Sequence, residues 1–199
     1  MRIPANERKE QLIDATIALM QTRGVVALTL RDIAKHAGAS LAAVHYCFDD
    51  KDELFTAAVE RWLKNMMTYA EDVDPSFGLR STVNEVARRY WDELEATPSD
   101  VLAQIELVVW AARQEGGQEL AASIYPGYES GLGALFGKAM ETDTHDRLLP
   151  PEELARIFIA IIDGCSLQYI TQPNLTSHRR LFEFLVEAVL QQVAVPVRT

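Results

Sequence analysis

Apolar residues three and four positions apart run through nearly the whole chain, which is the spacing of amphipathic helices. Leu12, Thr16, Leu19 and Met20 mark a first helix that ends near Gly24. Thr29 opens a second: its hydroxyl can accept from the backbone N–H three residues on, and Asp32 at that position completes a capping-box-like pair. Gly38 stops this helix, Ser40 caps a short third one carrying Val44, and Lys51 begins a fourth with Leu54, Ala58, Trp62, Leu63 and Met66 inward. Further stripes run from Leu79 to Leu94, closed before Pro98, and from Val101 to Ala112, closed by Gly116–Gly117. A weaker stripe spans Leu120 to Phe136, and Pro150–Pro151 suits a helix start. Leu154 to Cys165 and Leu181 to Val193 supply the last two. Val25–Leu30 is the only short β-branched run, and no alternation extends from it. The pattern predicts an all-α chain of about nine helices and no sheet. A three-helix head over 1–50 is expected to precede a larger helical bundle over 51–199.

The 199 residues suffice for a substantial core. No run approaches ~18 uninterrupted apolar residues, so no membrane partner is expected. MRIPANERKEQ carries no hydrophobic signal region, and Cys47 and Cys165 stand far apart without CxxC spacing. These features predict a cytoplasmic protein with no disulfide framework, no metal site and no cofactor. The net charge of −10 speaks at first against nucleic acid, but it is unevenly spread. Residues 1–48 hold six Lys/Arg against four Asp/Glu, whereas residues 49–199 hold thirteen against twenty-five. Exposed charges are screened beyond ~10 Å, so an acidic bundle repels DNA only where it approaches it.

The stretch Leu30–Phe48, LRDIAKHAGASLAAVHYCF, meets the demands of a helix-turn-helix in order. Ala34 is the small residue where two helices cross, and Gly38 tolerates the positive φ of the turn. Ile33, Ala37 and Val44 face inward, and Ser40 caps the short second helix. A glycine between helices also occurs in ordinary helical hairpins, so the bare string leaves DNA binding and simple packing both open.

Asn6–Trp62 resembles the DNA-binding head of the tetracycline-repressor (TetR) family of bacterial regulators. The likeness rests on the glycine-terminated first helix, TLRDIA at Thr29–Ala34, AGAS at Ala37–Ser40, the aromatic end of the third helix, and FDDKDEL at Phe48–Leu54. His45 stands where the family usually has Tyr, and Cys47 where it often has His or Tyr. Beyond the head the likeness is one of architecture and length.

The resemblance implies that the third helix enters the major groove. Leu41, Ala42, Ala43, His45 and Tyr46 are its exposed residues, and none is an Arg, Asn or Gln capable of a bidentate base contact. Base readout then leans on methyl contacts and His45, with DNA shape contributing. Thr29, Arg31, the helix start at Ser40, Tyr46 and Lys51 are the candidate backbone contacts, with Arg2 and Arg8 reaching the flanks. One head reads few bases, so a homodimer joined through the last two helices is expected on a palindromic double-stranded operator. The family also implies a small-molecule effector. Trp62, Met66, Trp91, Glu106, Trp110, Ile124, Tyr128, Phe158 and Ile162 are candidate pocket residues, each equally readable as core. Pro126 removes a helix hydrogen bond and is expected to kink or restart the helix, and Gly127, Gly131, Gly133 and Gly137 soften it, as a yielding pocket wall or a close-packing face. Asp163, inside FIAIIDGCSLQYI, faces a polar ligand group, pairs across a dimer, or is solvated at a bend before Gly164.

An enzyme is disfavoured, because no phosphate loop, GxSxG elbow or HExxH occurs. His36, His45, His145 and His178 are scattered, and Ser40 with His45 lacks an orienting acid, so no catalytic residue is assigned. A helical interaction module without DNA binding is the remaining alternative.

Overall fold

The computed structural model describes residues 3–66, 70, 72–113, 118–142, 146–147, 149–173 and 177–195. Among them are nine α-helices: α1 (Ala5–Arg23), α2 (Leu30–His36), α3 (Leu41–Cys47), α4 (Lys51–Met66), α5 (Leu79–Ala96), α6 (Pro98–Arg113), α7 (Gln118–Glu141), α8 (Pro151–Thr171) and α9 (Ser177–Val193). A short 3-10 turn, Pro75–Phe77, precedes α5.

The expectation of no sheet needs one correction. Asp146–Arg147 (β1) pairs antiparallel with Ala194–Val195 (β2), Asp146 opposite Val195 and Arg147 opposite Ala194. Two residues per strand are too few to register as an alternating pattern. Gly116 and Gly117, and the side chains of Leu63, Met66 and Leu120, lie outside the described residues.

The chain forms two compact units. The first comprises Met1–Met66 and Ser99–Ala122, so α4 stays with the head well past residue 50 and α6 joins it. Leu12, Leu19 and Met20 of α1 and Leu54, Phe55 and Ala58 of α4 are fully or almost fully buried. Each large side chain so removed from water contributes about 1.5–3 kcal/mol. On the rim, Arg61 of α4 pairs with Glu10 and, at 3.1 Å, with Asp14 of α1. Leu102 and Val109 belong to the apolar stripe read from the sequence, yet both are exposed.

The second unit comprises Met67–Pro98 and Ser123–Thr199. Its core is aromatic. Trp91 of α5 stacks on Phe182 of α9 at 5.0 Å, and Phe158 of α8 meets Phe136 of α7 edge-on at 5.8 Å. Inside it, the Tyr90 hydroxyl and Ser166 Oγ share a hydrogen bond of 2.8 Å, which satisfies two buried polar groups. Helix α8 is long and apolar enough to cross a membrane by length and composition. It nevertheless packs on α9 and carries Arg156 and Asp163, both engaged by residues of α7.

Candidate DNA-binding site

Local rules build the head. Thr29 and Asp32 form the capping box: Asp32 N–H donates to Thr29 Oγ1 at 3.2 Å, and Thr29 N–H donates to Asp32 Oδ2 at 3.2 Å. The Thr29 hydroxyl also donates to Asp32 Oδ2, and this contact holds the Asp32 carboxyl below its ordinary range. The hydroxyl hydrogen of Thr29 is thus committed within the box, and its approach to a phosphate requires that bond to open.

The turn after α2 is closed by backbone bonds. Ala39 N–H reaches Ala34 O at 2.8 Å and Gly38 N–H reaches Lys35 O at 3.3 Å, the pairing of a Schellman stop. Gly38 sits at φ +59°, and an added Cβ there meets nothing within 4 Å, so only the backbone conformation calls for glycine. Ile33 and Val44 are wholly buried and Ala34 nearly so, which lets α3 cross α2 closely. Ser40 Oγ accepts the Ala43 N–H at 3.1 Å and starts α3.

With Val44 as its anchor, α3 turns the rest of its surface outward. Ala42, His45 and Tyr46 are exposed, Tyr46 by 74 %, while Leu41, Ala43 and Cys47 are half-exposed. An open groove of about 730 Å³ lies between α3 and the start of α1. Ser40, Ala43 and Tyr46 form one wall, and Pro4, Ala5 and Arg8 the other. The α1 wall escaped the sequence reading apart from Arg8. Its signal is Pro4, which caps α1 without a side-chain bond to the first-turn N–H groups. Arg8 Nη1 donates to Ala37 O, in the turn between α2 and α3, at 3.4 Å. Arg31 is exposed on α2, and Arg2 lies outside the described residues.

Lys51 opens α4. Its Nζ lies 4.7 Å above the Phe55 ring, and burial lowers its pKa. A cation in a first helical turn opposes the helix dipole, and the ring one turn on supplies an internal attraction that offsets it. Phe55 in turn packs on Trp110 of α6 at 4.9 Å.

The candidate pocket residues fall in both units. In the first, Trp62 is buried and Trp110 half-buried, and Glu106 accepts the Val25 N–H at 3.0 Å. In the second, Trp91, Ile124, Tyr128, Phe158 and Ile162 are all buried. Asp163 accepts a hydrogen bond of 2.8 Å from the Tyr125 hydroxyl. Burial raises the Asp163 pKa, and it lifts the Tyr125 phenol to about 12, with Asp163 adding to the effect. No bend interrupts α8 before Gly164.

This contact is one rung of a seam between α7 and α8. At four-residue steps along α7, Tyr125 meets Asp163, and Glu129 takes a bidentate bond from Arg156 at 3.0 and 2.9 Å. Gly133 then abuts Glu152, and Gly137 abuts Pro151. For Gly133 this supports the close-packing reading, whereas the contact of Gly137 with Pro151 is an ordinary van der Waals one. An added Cβ would sit 3.3 Å from Glu152 Cα and 3.5 Å from Pro151 Cγ. Gly127 faces open space.

Comparison with known proteins places this geometry. The family profile described as bacterial regulatory proteins, tetR family, matches residues 12–58. The HTH-type nicotine-responsive transcriptional repressor HdnoR of Paenarthrobacter nicotinovorans is 37 % identical over 194 residues, covering 97 % of this chain and 99 % of its own. The HTH-type transcriptional regulator BetI of Agrobacterium fabrum is 26 % identical over 166 residues, covering 81 % and 76 %. A crystal structure of a putative TetR-family regulator from Rhodococcus sp. superposes with a TM-score of 0.78 at 21 % identity, covering 95 % of this chain and all of that one. A 37 % match along nearly the full length of both chains, on a head whose turn, caps and exposed third helix are those of a groove reader, makes this chain a member of the TetR family of DNA-binding transcription regulators.

Proposed function

We propose that the protein is a homodimeric, cytoplasmic repressor that holds a palindromic operator with two copies of its head and releases it on binding a small cationic organic molecule. The observation that carries the reading is α3: it is anchored by one buried valine and leaves Ala42, His45 and Tyr46 in solvent beside a groove shared with α1. The N-terminus of α3 at Ser40 and the Tyr46 hydroxyl, with Lys51 at the start of α4, then hold the DNA backbone and position the helix, and the small side chains of Ala42 and Ala43 admit thymine methyls.

Two copies are needed because one short helix reads too few base pairs. The last two helices offer the surface: Leu167 of α8 is 49 % exposed, and Leu181 and Phe184 of α9 are 40 % and 68 % exposed. Apolar residues of this size favour burial against a second copy.

For the effector, HdnoR is a nicotine-responsive repressor. In this chain Asp163 is a half-buried carboxylate with one phenolic donor. It suits a protonated amine carried on an aromatic body, which Tyr128, Ile124 and Ile162 on the same two helices would flank.

The test selects fragments of the source genome on purified protein and measures their affinity against salt. Binding that falls steeply with salt, a two-fold symmetric footprint, and release on addition of nicotine are expected. A protein with no affinity for any duplex at low ionic strength overturns the reading.

A further inference from the structure

We infer that Glu106 is a positioning residue for DNA recognition, holding the α1–α2 turn of the head against helix α6. The inference rests on the DNA-binding reading above.

The chain passes between the two units after Met66, after Pro98 and, within α7, after Ala122. Helix α6 is thus a later stretch of sequence built into the first unit, covalently continuous with the second at Pro98. Its grip on the head is specific. Glu106 Oε2 accepts the N–H of Val25, a wholly buried residue, at 3.0 Å. That N–H is the first backbone donor beyond α1 and Gly24, whose own N–H returns to Met20 O. A charged acceptor on a lone buried amide makes a strong hydrogen bond, and its loss leaves the donor without a partner.

Gly24 fits the same arrangement. It lies at φ +76° and ψ 164°, a region open almost only to glycine, and a Cβ there would stand 2.7 Å from Glu106 Oε2. The carboxylate occupies the space that a side chain at position 24 would fill.

The held segment has leverage. Val25 lies four residues before Thr29, the cap that starts α2, and α2 carries α3 across its Ala34. One turn further along α6, Trp110 packs on Phe55, whose ring underlies Lys51 Nζ. Residues 106 and 110, four apart, share a face of α6. That face therefore holds the turn that orients the recognition helix and the ring that seats a candidate phosphate-contacting lysine. A displacement of α6 would act directly on both points, the α1–α2 turn and the first turn of α4.

The experiment compares Glu106→Ala, Glu106→Gln and Gly24→Ala with the full-length wild-type chain. Affinity is measured on one genomic fragment selected by the wild type, across a salt series. Hydrogen exchange over residues 24–28 is followed without DNA. Glu106→Ala is expected to weaken binding about 10-fold or more, with helix content and the salt slope unchanged and Val25 exchange accelerated. Glu106→Gln retains an accepting oxygen and should restore affinity to within about threefold of wild type. Gly24→Ala should resemble Glu106→Ala, and the double variant should be no weaker than Gly24→Ala alone. Wild-type affinity in Glu106→Ala overturns the inference, as does a Gln variant as weak as the Ala variant. A wild-type chain that binds no duplex overturns the DNA reading and this one together, whereas wild-type binding with an unaffected Glu106→Ala overturns this one alone.

Discussion

Substituting alanine for glycine at two positions of α7 should give stability changes of opposite sign. Gly127 and Gly133 lie in the same helix, and in an exposed helix interior Ala is favoured over Gly by about 0.8–1.0 kcal/mol. At Gly127 an added Cβ meets nothing within 4 Å, so the gain is realised: Gly127→Ala should stabilise by about 0.5–1 kcal/mol. At Gly133 the same methyl would stand 3.3 Å from Glu152 Cα, 3.3 Å from Cγ and 3.5 Å from N. Two of these are backbone atoms in the first turn of α8, and carbon atoms prefer about 3.5–4.0 Å. That turn cannot retreat alone, because Pro151 abuts Gly137 and Arg156 is clamped to Glu129 by two bonds. Overpacking of this kind costs about 1–3 kcal/mol, which exceeds the propensity gain, so Gly133→Ala should be net destabilising by about 1 kcal/mol. Thermal unfolding by circular dichroism resolves this, since ~1 kcal/mol moves the midpoint by about 2–4 °C in a chain of this size. A Gly133→Ala midpoint equal to or above that of Gly127→Ala would refute the close-packing account of the α7–α8 seam.

Asp163→Asn should stabilise the protein at pH 7 and leave it unchanged near pH 3. Burial raises the Asp163 pKa, so the wild type is favoured with the group neutral and loses that advantage as pH rises through the folded-state value, while Asn still accepts from Tyr125; a midpoint difference that does not grow from acid to neutral pH contradicts this. Lys51→Ala and Tyr46→Phe should weaken all duplexes about equally, and the lysine change should also flatten the salt slope by about one, whereas substitutions at Ala43 or His45 should alter sequence preference. Competition binding on a panel of mutated operators separates the two groups. Phe184→Glu places a charge on an exposed apolar position of α9 and should yield monomers that bind the operator weakly, seen by light scattering and gel shift together.

The head was legible in the sequence because its rules are local. Thr29 with Asp32, Gly38 and Ser40 each act on backbone groups within five residues, so the residue types announce the geometry. Contacts that join distant segments left no such mark. Glu106 stands in the sequence as a candidate pocket residue, and nothing in its neighbours announces an amide 81 residues earlier. The Asp163 partner, Tyr125, lies 38 residues away and is not one of the three fates the sequence suggested for that carboxylate. The glycines of α7 announce a weakened helix but not its reason, because only the position of Glu152 makes Gly133 a point of close approach while Gly127 stays open. Spacing alone groups Leu102, Val109 and Leu181 with apolar faces, although all three are exposed, because it does not distinguish the two edges of a wide stripe.

The composition of α3 has a consequence for specificity. A bidentate base contact is worth about 1–3 kcal/mol of discrimination, and Leu41–Cys47 contains no Arg, Asn or Gln to make one. Methyl contacts from two alanines supply less per base pair. In the proposed dimer the shortfall would be made up by requiring two heads to fit two half-sites at once, a requirement that is strict only if each head is held rigidly. Rigidity then becomes a determinant of sequence choice, and the bonds that seat the head gain an importance out of proportion to their number. The Glu106–Val25 bond and the Trp110–Phe55 contact brace the head from α6 within the first unit. Loosening them should therefore reduce discrimination between the operator and a variant with one base pair inserted between half-sites more than it reduces affinity for an isolated half-site. Equal losses on the two duplexes would return the burden of specificity to the side chains of α3.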